Sequence, residues 1–485
     1  MKNPFPKRLL PPAPAYTLPL SRRAFRKALI CGQGRAVLHV RQFGVAGVED
    51  LILQAVFKSA ALEVGDDRSD LLHSILRTAG MERQAMDALD SWLEQTGNTM
   101  DVQHSDLLIR WHQEGDNRAL QIIRKHAIAD AISVEYAYPG SALLHWIEHE
   151  PALAIPLMMK AYGEALLQGR QVEWTPDFVV YNKPEQTAQW HALIAAHAND
   201  TPACRAFAEA HAQVLREPRG SGTPRPDWSQ MNAEGIEQAL LQPGSMIWEK
   251  GALLISDEVM PELYHRMVAT QDFKTWMALM RVFGFRKAPQ IDPDWFKIAL
   301  RAGRRKSGYA AIQALAHFDL PSVRKLGRKL SRSRNPCTAQ MALELFRFSL
   351  PVPIHQRLMK RLHKLSTQSW GYLDAQSLRT ELPYAFTDSL FSKLKEIEPW
   401  VSSLRSHPHL SRVPAIQLWI WENGTCALCR SDAFEALAAL GVVSPEILSE
   451  ALEDSCELTR EAAERLQLER GQALLKFTGE EFRRC

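Results

Sequence analysis

Residues 309–330 read YAAIQALAHFDLPSVRKLGRKL, and the way they fold decides how the rest of the chain is read. Ala311, Ile312, Leu315 and Ala316 recur at helical spacing and form one apolar stripe; Val323, Leu326 and Leu330 form the next. A tight turn separates the two. Asp319 is placed to cap the second helix, and Pro321 fits its first turn, where a missing N–H costs no hydrogen bond. Each helix is short and has one apolar face, so neither is stable alone. The stretch predicts a helix pair that needs neighbours of its own kind.

The chain repeats this pattern. Asp319 is followed by Arg324 and the small Gly327; DTPACRAFA carries Asp200, Arg205 and Ala208; DSCELTREAA carries Asp454, Arg460 and Ala463; the looser GDNRALQII carries Asp116 and Arg118. The pattern resembles the second half of a HEAT repeat, in which an Asp in the turn is followed by a β-branched residue, an Arg or Lys, and a small residue where two helices meet. Cys204 and Leu458 depart from it, standing where the family prefers Val. In physical terms the Asp caps its helix, the Arg pairs with the Asp of an adjacent unit, and the small residue lets helices approach. The resemblance covers about half the chain and implies an architecture only: an all-α fold, an α-solenoid or HEAT-like stack of antiparallel helix pairs in two halves.

Composition agrees with an all-α chain. Of 485 residues, 46% are hydrophobic and 23% charged, which excludes wholesale disorder. Alternating β-branched runs are scarce, and most of the 28 prolines fall between periodic segments, as many short helices require. No run of eighteen apolar residues is present, so no membrane contact is expected. The opening MKNPFPKRLLPPAPAYTLPL is basic at its start but broken by prolines, and does not read as a signal peptide. Seven scattered cysteines are unlike a secreted disulfide framework, and a cytoplasmic location is expected. The expected organisation is a Pro-rich tail (1–20), a helical-repeat region (21–215), a linker or loop (216–230) holding REPRGSGTPRPDW, and a second helical-repeat region (231–485). Ser21 is a candidate N-cap for the first helix.

Charge is distributed unevenly despite a formal net charge of +3. Basic residues dominate 297–364, where only Asp319 and Glu344 oppose them, and acids dominate 432–469. Arg324, Arg328 and Arg332 repeat every fourth residue beside Lys325 and Lys329, on a stripe distinct from Val323, Leu326 and Leu330. With Arg301, Arg304, Arg305, Lys306 and Arg334 they form the candidate surface for a nucleic acid or an acidic protein partner. The acidic end reads as a solvated or docking face that caps the stack, with Leu437, Leu440, Ile447, Leu452, Leu458 and Leu466 turned inward.

Three motifs point toward other chemistry. His145-x-x-Glu148-His149 matches the letters of the inverted zinc peptidases; two histidines four apart share a helix face, and the Glu is a candidate general base. The segment is one short helix ending at Pro151, and the strand-rich domains of that family are not visible. Cys426-x-x-Cys429, with His407 and His409 upstream, offers half a zinc site or a redox pair; its bland reading is two cysteines at a helix start, one of them buried. Gly32-x-Gly34 lacks the third glycine and the preceding strand of a dinucleotide fingerprint. No GxSxG, phosphate-binding loop or helical-repeat glycosylase pattern is present, so no catalytic residue and no cofactor are assigned. The expectation is a non-enzymatic scaffold for a macromolecular partner, first a protein or a second copy. A nucleic acid on 297–334 is the alternative, and a zinc hydrolase at the HxxEH segment a minor one.

Overall fold

A computed structural model describes residues 17–57, 68–96, 100, 102–133, 141–169, 184–216, 226–242, 247, 249–286, 305–333, 336–348, 351–377, 397–407 and 409–482. Among the described residues the regular structure is helical throughout, with no strand. The described residues fall into two compact units. One lies within Gly222–Ser369 and Lys395–Glu422; the other draws on Pro11–Ser221, Trp370–Leu394 and Asn423–Cys485.

In the first unit the deciding stretch forms helices Arg305–Ala316 and Pro321–Leu330. Ala311, Ile312, Leu315, Ala316 and Val323 are buried, and the core continues through Leu279, Met280, Val282 and Phe283 of helix Phe273–Phe285. Pro321 occupies the first turn as expected, but the cap differs. Leu320 is the N-cap and no side chain accepts there; Asp319 instead accepts from Arg324 at 3.1 Å. The cap position falls one residue past Asp319, on a side chain that cannot accept, which leaves the carboxylate for its neighbouring cation. Gly327 does mark a close approach: a Cβ there would lie 2.9 Å from the Phe346 ring and 3.1 Å from Leu345 Cβ.

The second unit begins at helix Arg22–Cys31, capped by the Ser21 hydroxyl. Helix Val102–Gln113 packs against the next helix, Asn117–Ser133, and helix Pro151–Leu167 packs against Pro202–Arg216, with helix Pro184–His197 between them in sequence. Gly163 and Ala203 set the second crossing, since a Cβ on Gly163 would fall 1.8 Å from the Ala203 carbonyl oxygen. Thr201, and not Asp200, caps the latter helix, and Asp200 accepts from His197 at 2.6 Å.

The end of the chain returns to this unit. The Cys31–Gly34 turn, read against a dinucleotide fingerprint, is a packing device. Gly32 takes a left-handed conformation (φ 70°), its carbonyl accepts from the Ser455 N–H at 3.0 Å, and a Cβ on Gly34 would lie 2.1 Å from the Glu450 carbonyl oxygen. Around the turn, Arg35 holds Glu450 through two bonds of 2.8 and 2.9 Å, Arg430 holds Asp454 at 2.8 Å, and Arg68 donates to the Thr425 carbonyl and the Ser455 hydroxyl at 2.6 and 2.8 Å. The acidic end is therefore only partly a solvated face: Glu450 and Asp454 are fully buried, each satisfied by an arginine. Leu437 and Ile447 are inward as expected, whereas Leu440 and Leu458 are exposed, at 38% and 52%. Arg460 does pair with an Asp from another helix, Asp70, at 2.7 Å.

Candidate partner-binding face

Five of the cations singled out in sequence lie on or just beyond helix Pro321–Leu330. Val323 and Gly327 turn into the core, so Lys325, Arg328, Lys329 and Arg332 fall on the exposed side. Arg324 is half-buried and engaged by Asp319. Arg328 and Lys329 stand in the last turn, where unpaired carbonyls favour positive charge. Arg301, Arg304 and Arg334 lie outside the described residues, and of Arg305 and Lys306 only the main chain at the start of helix Arg305–Ala316 is described.

The structure adds a second basic stripe. In helix Val352–Ser377, Ile354, Leu358 and Leu362 are buried while Arg357, Lys360 and Lys364 are exposed, three and four residues apart on one face. Arg361 joins the helices: its guanidinium donates to the Ser333 carbonyl at 3.2 Å and lies 5.4 Å from the centre of the Trp400 ring. Burial lowers its pKa. Arg332 and Lys360 are the chain neighbours of this bonded pair. Glu344, the one acid between residues 320 and 369, is partly buried, and desolvation pushes its carboxyl up toward the neutral form. Each stripe thus presents exposed cations within a stretch that holds little opposing charge, suited to phosphate or carboxylate oxygens. The second stripe belongs to the basic stretch 297–364, but the Arg361–Ser333 contact, which links its helix to the segment just after Pro321–Leu330, is one that no spacing rule encodes.

The HxxEH segment forms helix Ser141–His149, and the chain resumes as helix Pro151–Leu167 with Pro151 in its first turn. His145 is buried, His149 exposed, and Glu148 exposed outside their group. The third member is His112, from helix Val102–Gln113: its Nδ1 lies 2.8 Å from His145 Nε2. Burial, followed by the charges of His149 and His112, pushes the His145 pKa down to about 4, and burial likewise lowers that of His112. Glu150 borders this group, held by Arg124 at 2.8 Å and by the Trp146 indole N–H at 3.0 Å. His112 carries no spacing signal toward the motif, and only the packing of the two helices finds it.

Cys426 is the N-cap of helix Ala427–Ala439, its Sγ accepting from the Cys429 N–H at 3.4 Å. Both cysteines are buried, where one was expected to be, and among the described residues no metal-ligating group contains them. His407 donates to the Leu343 carbonyl at 3.2 Å. Comparison with known proteins finds no matching family model, curated protein or solved structure.

Proposed function

We propose that this chain is a non-enzymatic helical-repeat scaffold, its helix pairs stacked in HEAT-like fashion, that docks an acidic protein partner on residues 321–364. The observation that carries this reading is the segregation of charge. Lys325, Arg328, Lys329, Arg332, Lys360 and Lys364 are exposed, and the acid nearest in sequence to their centre, Glu344, is partly buried and shifted toward neutrality. With a chain-wide net charge of only +3, the basic character is local, as a patch-to-patch contact requires. Such a surface supplies steering and register, while the apolar seams of the helix pairs supply rigidity.

A nucleic acid is the second reading, favoured by the helical repeat of the cations along two helices, which matches a polyphosphate as well as an acidic protein. Fluorescence anisotropy of labelled polyglutamate, duplex DNA and single-stranded RNA, each across a salt series, separates the two. The first reading expects polyglutamate to bind and to be lost in the variant Lys325→Glu, Arg328→Glu, Lys329→Glu, Arg332→Glu. Preferential nucleic-acid binding with a steep salt slope selects the second, and no binding to any probe at low salt removes both.

A further inference from the structure

We propose that His112, His145 and His149 form a binding site for a divalent transition metal ion, suited to zinc. The three side chains each offer a ring nitrogen, and these atoms all lie within 4.8 Å of one another. At zinc–nitrogen lengths of about 2.0–2.1 Å, ligand atoms of a tetrahedral ion sit about 3.3 Å apart, so modest rotation of the rings closes the shell. Ring centroids are 5.1 Å apart for His112 and His145, 5.0 Å for His112 and His149, and 4.1 Å for His145 and His149.

The hydrogen bonds favour the same assignment. His149 Nδ1 lies 2.8 Å from the His145 main-chain carbonyl, which can only accept, so Nδ1 carries the proton and Nε2 keeps the lone pair. This is the orientation that a supporting carbonyl gives a metal-bound imidazole. His112 Nδ1 and His145 Nε2 face one another at 2.8 Å, sharing one proton between two nitrogens. An ion between them would take both lone pairs, and that proton would move to the outer nitrogen of its own ring, so each ligand stays neutral. His407 turns its Nε2 toward the Leu343 carbonyl, whereas here three imidazoles converge from two helices.

Three protein nitrogens leave one position of a four-coordinate ion for water or an incoming group, and the exposure of His149 gives a path to it. Glu148 stands outside the group, so the site differs from the motif that HxxEH spells: its third residue comes from helix Val102–Gln113, and no general base is placed. A bound ion would tie that helix to helix Ser141–His149 and stabilise the unit by its binding free energy.

The test titrates metal-stripped, full-length protein with zinc by calorimetry and with cobalt by visible absorption. It also records thermal unfolding with and without zinc. One ion per chain is expected, with a tetrahedral cobalt spectrum and a zinc-dependent rise in Tm. His149→Ala, at an exposed position, should keep native circular dichroism yet weaken zinc binding about tenfold or more and abolish the rise in Tm. His112→Ala should act alike, and Cys426→Ser with Cys429→Ser should bind as the unmodified chain does. Absence of saturable zinc binding, unchanged affinity in a natively folded His149→Ala, or loss of binding in the cysteine variant would overturn the assignment.

Discussion

Asp454→Ala removes the carboxylate that faces Arg430 at 2.8 Å, with both side chains fully buried. Breaking one side of a buried ion pair costs about 3–5 kcal/mol, because the remaining charge stays out of water without its counter-charge. Two local details refine this. Arg430 would keep the Gly32 carbonyl and the Ser455 hydroxyl, both at 3.2 Å, which favours the lower end. The Cys456 N–H, however, would lose its bond to Asp454 Oδ1, adding about 1 kcal/mol. The expected loss is therefore about 4 kcal/mol. Replacing both partners, Arg430→Met with Asp454→Leu, removes both buried charges and should cost less than Asp454→Ala alone. Urea unfolding followed by tryptophan fluorescence reads these differences, since Trp111, Trp146 and Trp190 are buried in the same unit. A loss below about 1 kcal/mol for Asp454→Ala at unchanged m-value, or a double variant that loses more than Asp454→Ala alone, would refute the reasoning.

Gly163→Ala places a methyl 1.8 Å from the Ala203 carbonyl oxygen and should destabilise by about 1–3 kcal/mol in thermal unfolding; a change within error would mean that the helix crossing yields freely. His211 is buried beside His191, and burial first, then that neighbour, lowers its pKa to about 4. Because the folded pKa is depressed, the neutral ring's contribution is complete above the ordinary histidine value of about 6.5 and is lost as pH falls toward 4, on the order of 1 kcal/mol per pH unit. His211→Phe should flatten stability over that window, as denaturant midpoints from pH 7 to 4 would register. For Glu344, burial raises the folded pKa, so its charged form weakens the fold as pH rises above the ordinary carboxylate range. Glu344→Gln should therefore gain stability at pH 7, with the gain vanishing near pH 4, measured by Tm against pH.

What the sequence discloses here is local. Period and turn chemistry place Ser21 at its cap, Pro321 in its first turn and Gly327 at a close approach, because each depends on residues within a few positions of itself. The Asp319 cap fails for a local reason too: the helix begins one residue later, with Leu320 at the cap position, and the carboxylate turns to Arg324. Leu458 follows helical spacing yet is exposed, since periodicity defines a stripe without saying what covers it. The partners of Glu450 and Asp454 are harder still to read. Arg35 is 415 residues from Glu450, and a run of acids at the end of a chain has the same spelling whether water or arginine surrounds it. The candidate sites divide the same way: the basic stripe of helix Pro321–Leu330 is readable, while the Arg361 link and the arrival of His112 beside His145 belong to tertiary packing.

The socket for Glu450, formed by Arg35 beside the Gly32–Gly34 turn, bears on the order of events during synthesis. Translation delivers Arg35 more than four hundred residues before the carboxylate that it holds. The residues of Gly222–Ser369 and Lys395–Glu422 emerge in the interval and can assemble without waiting. The usual order along a nascent chain, earliest portion first, is thus reversed: the part made first closes last. Until then its arginines and the oily faces beneath them are clients for whatever shields incomplete proteins at the ribosome.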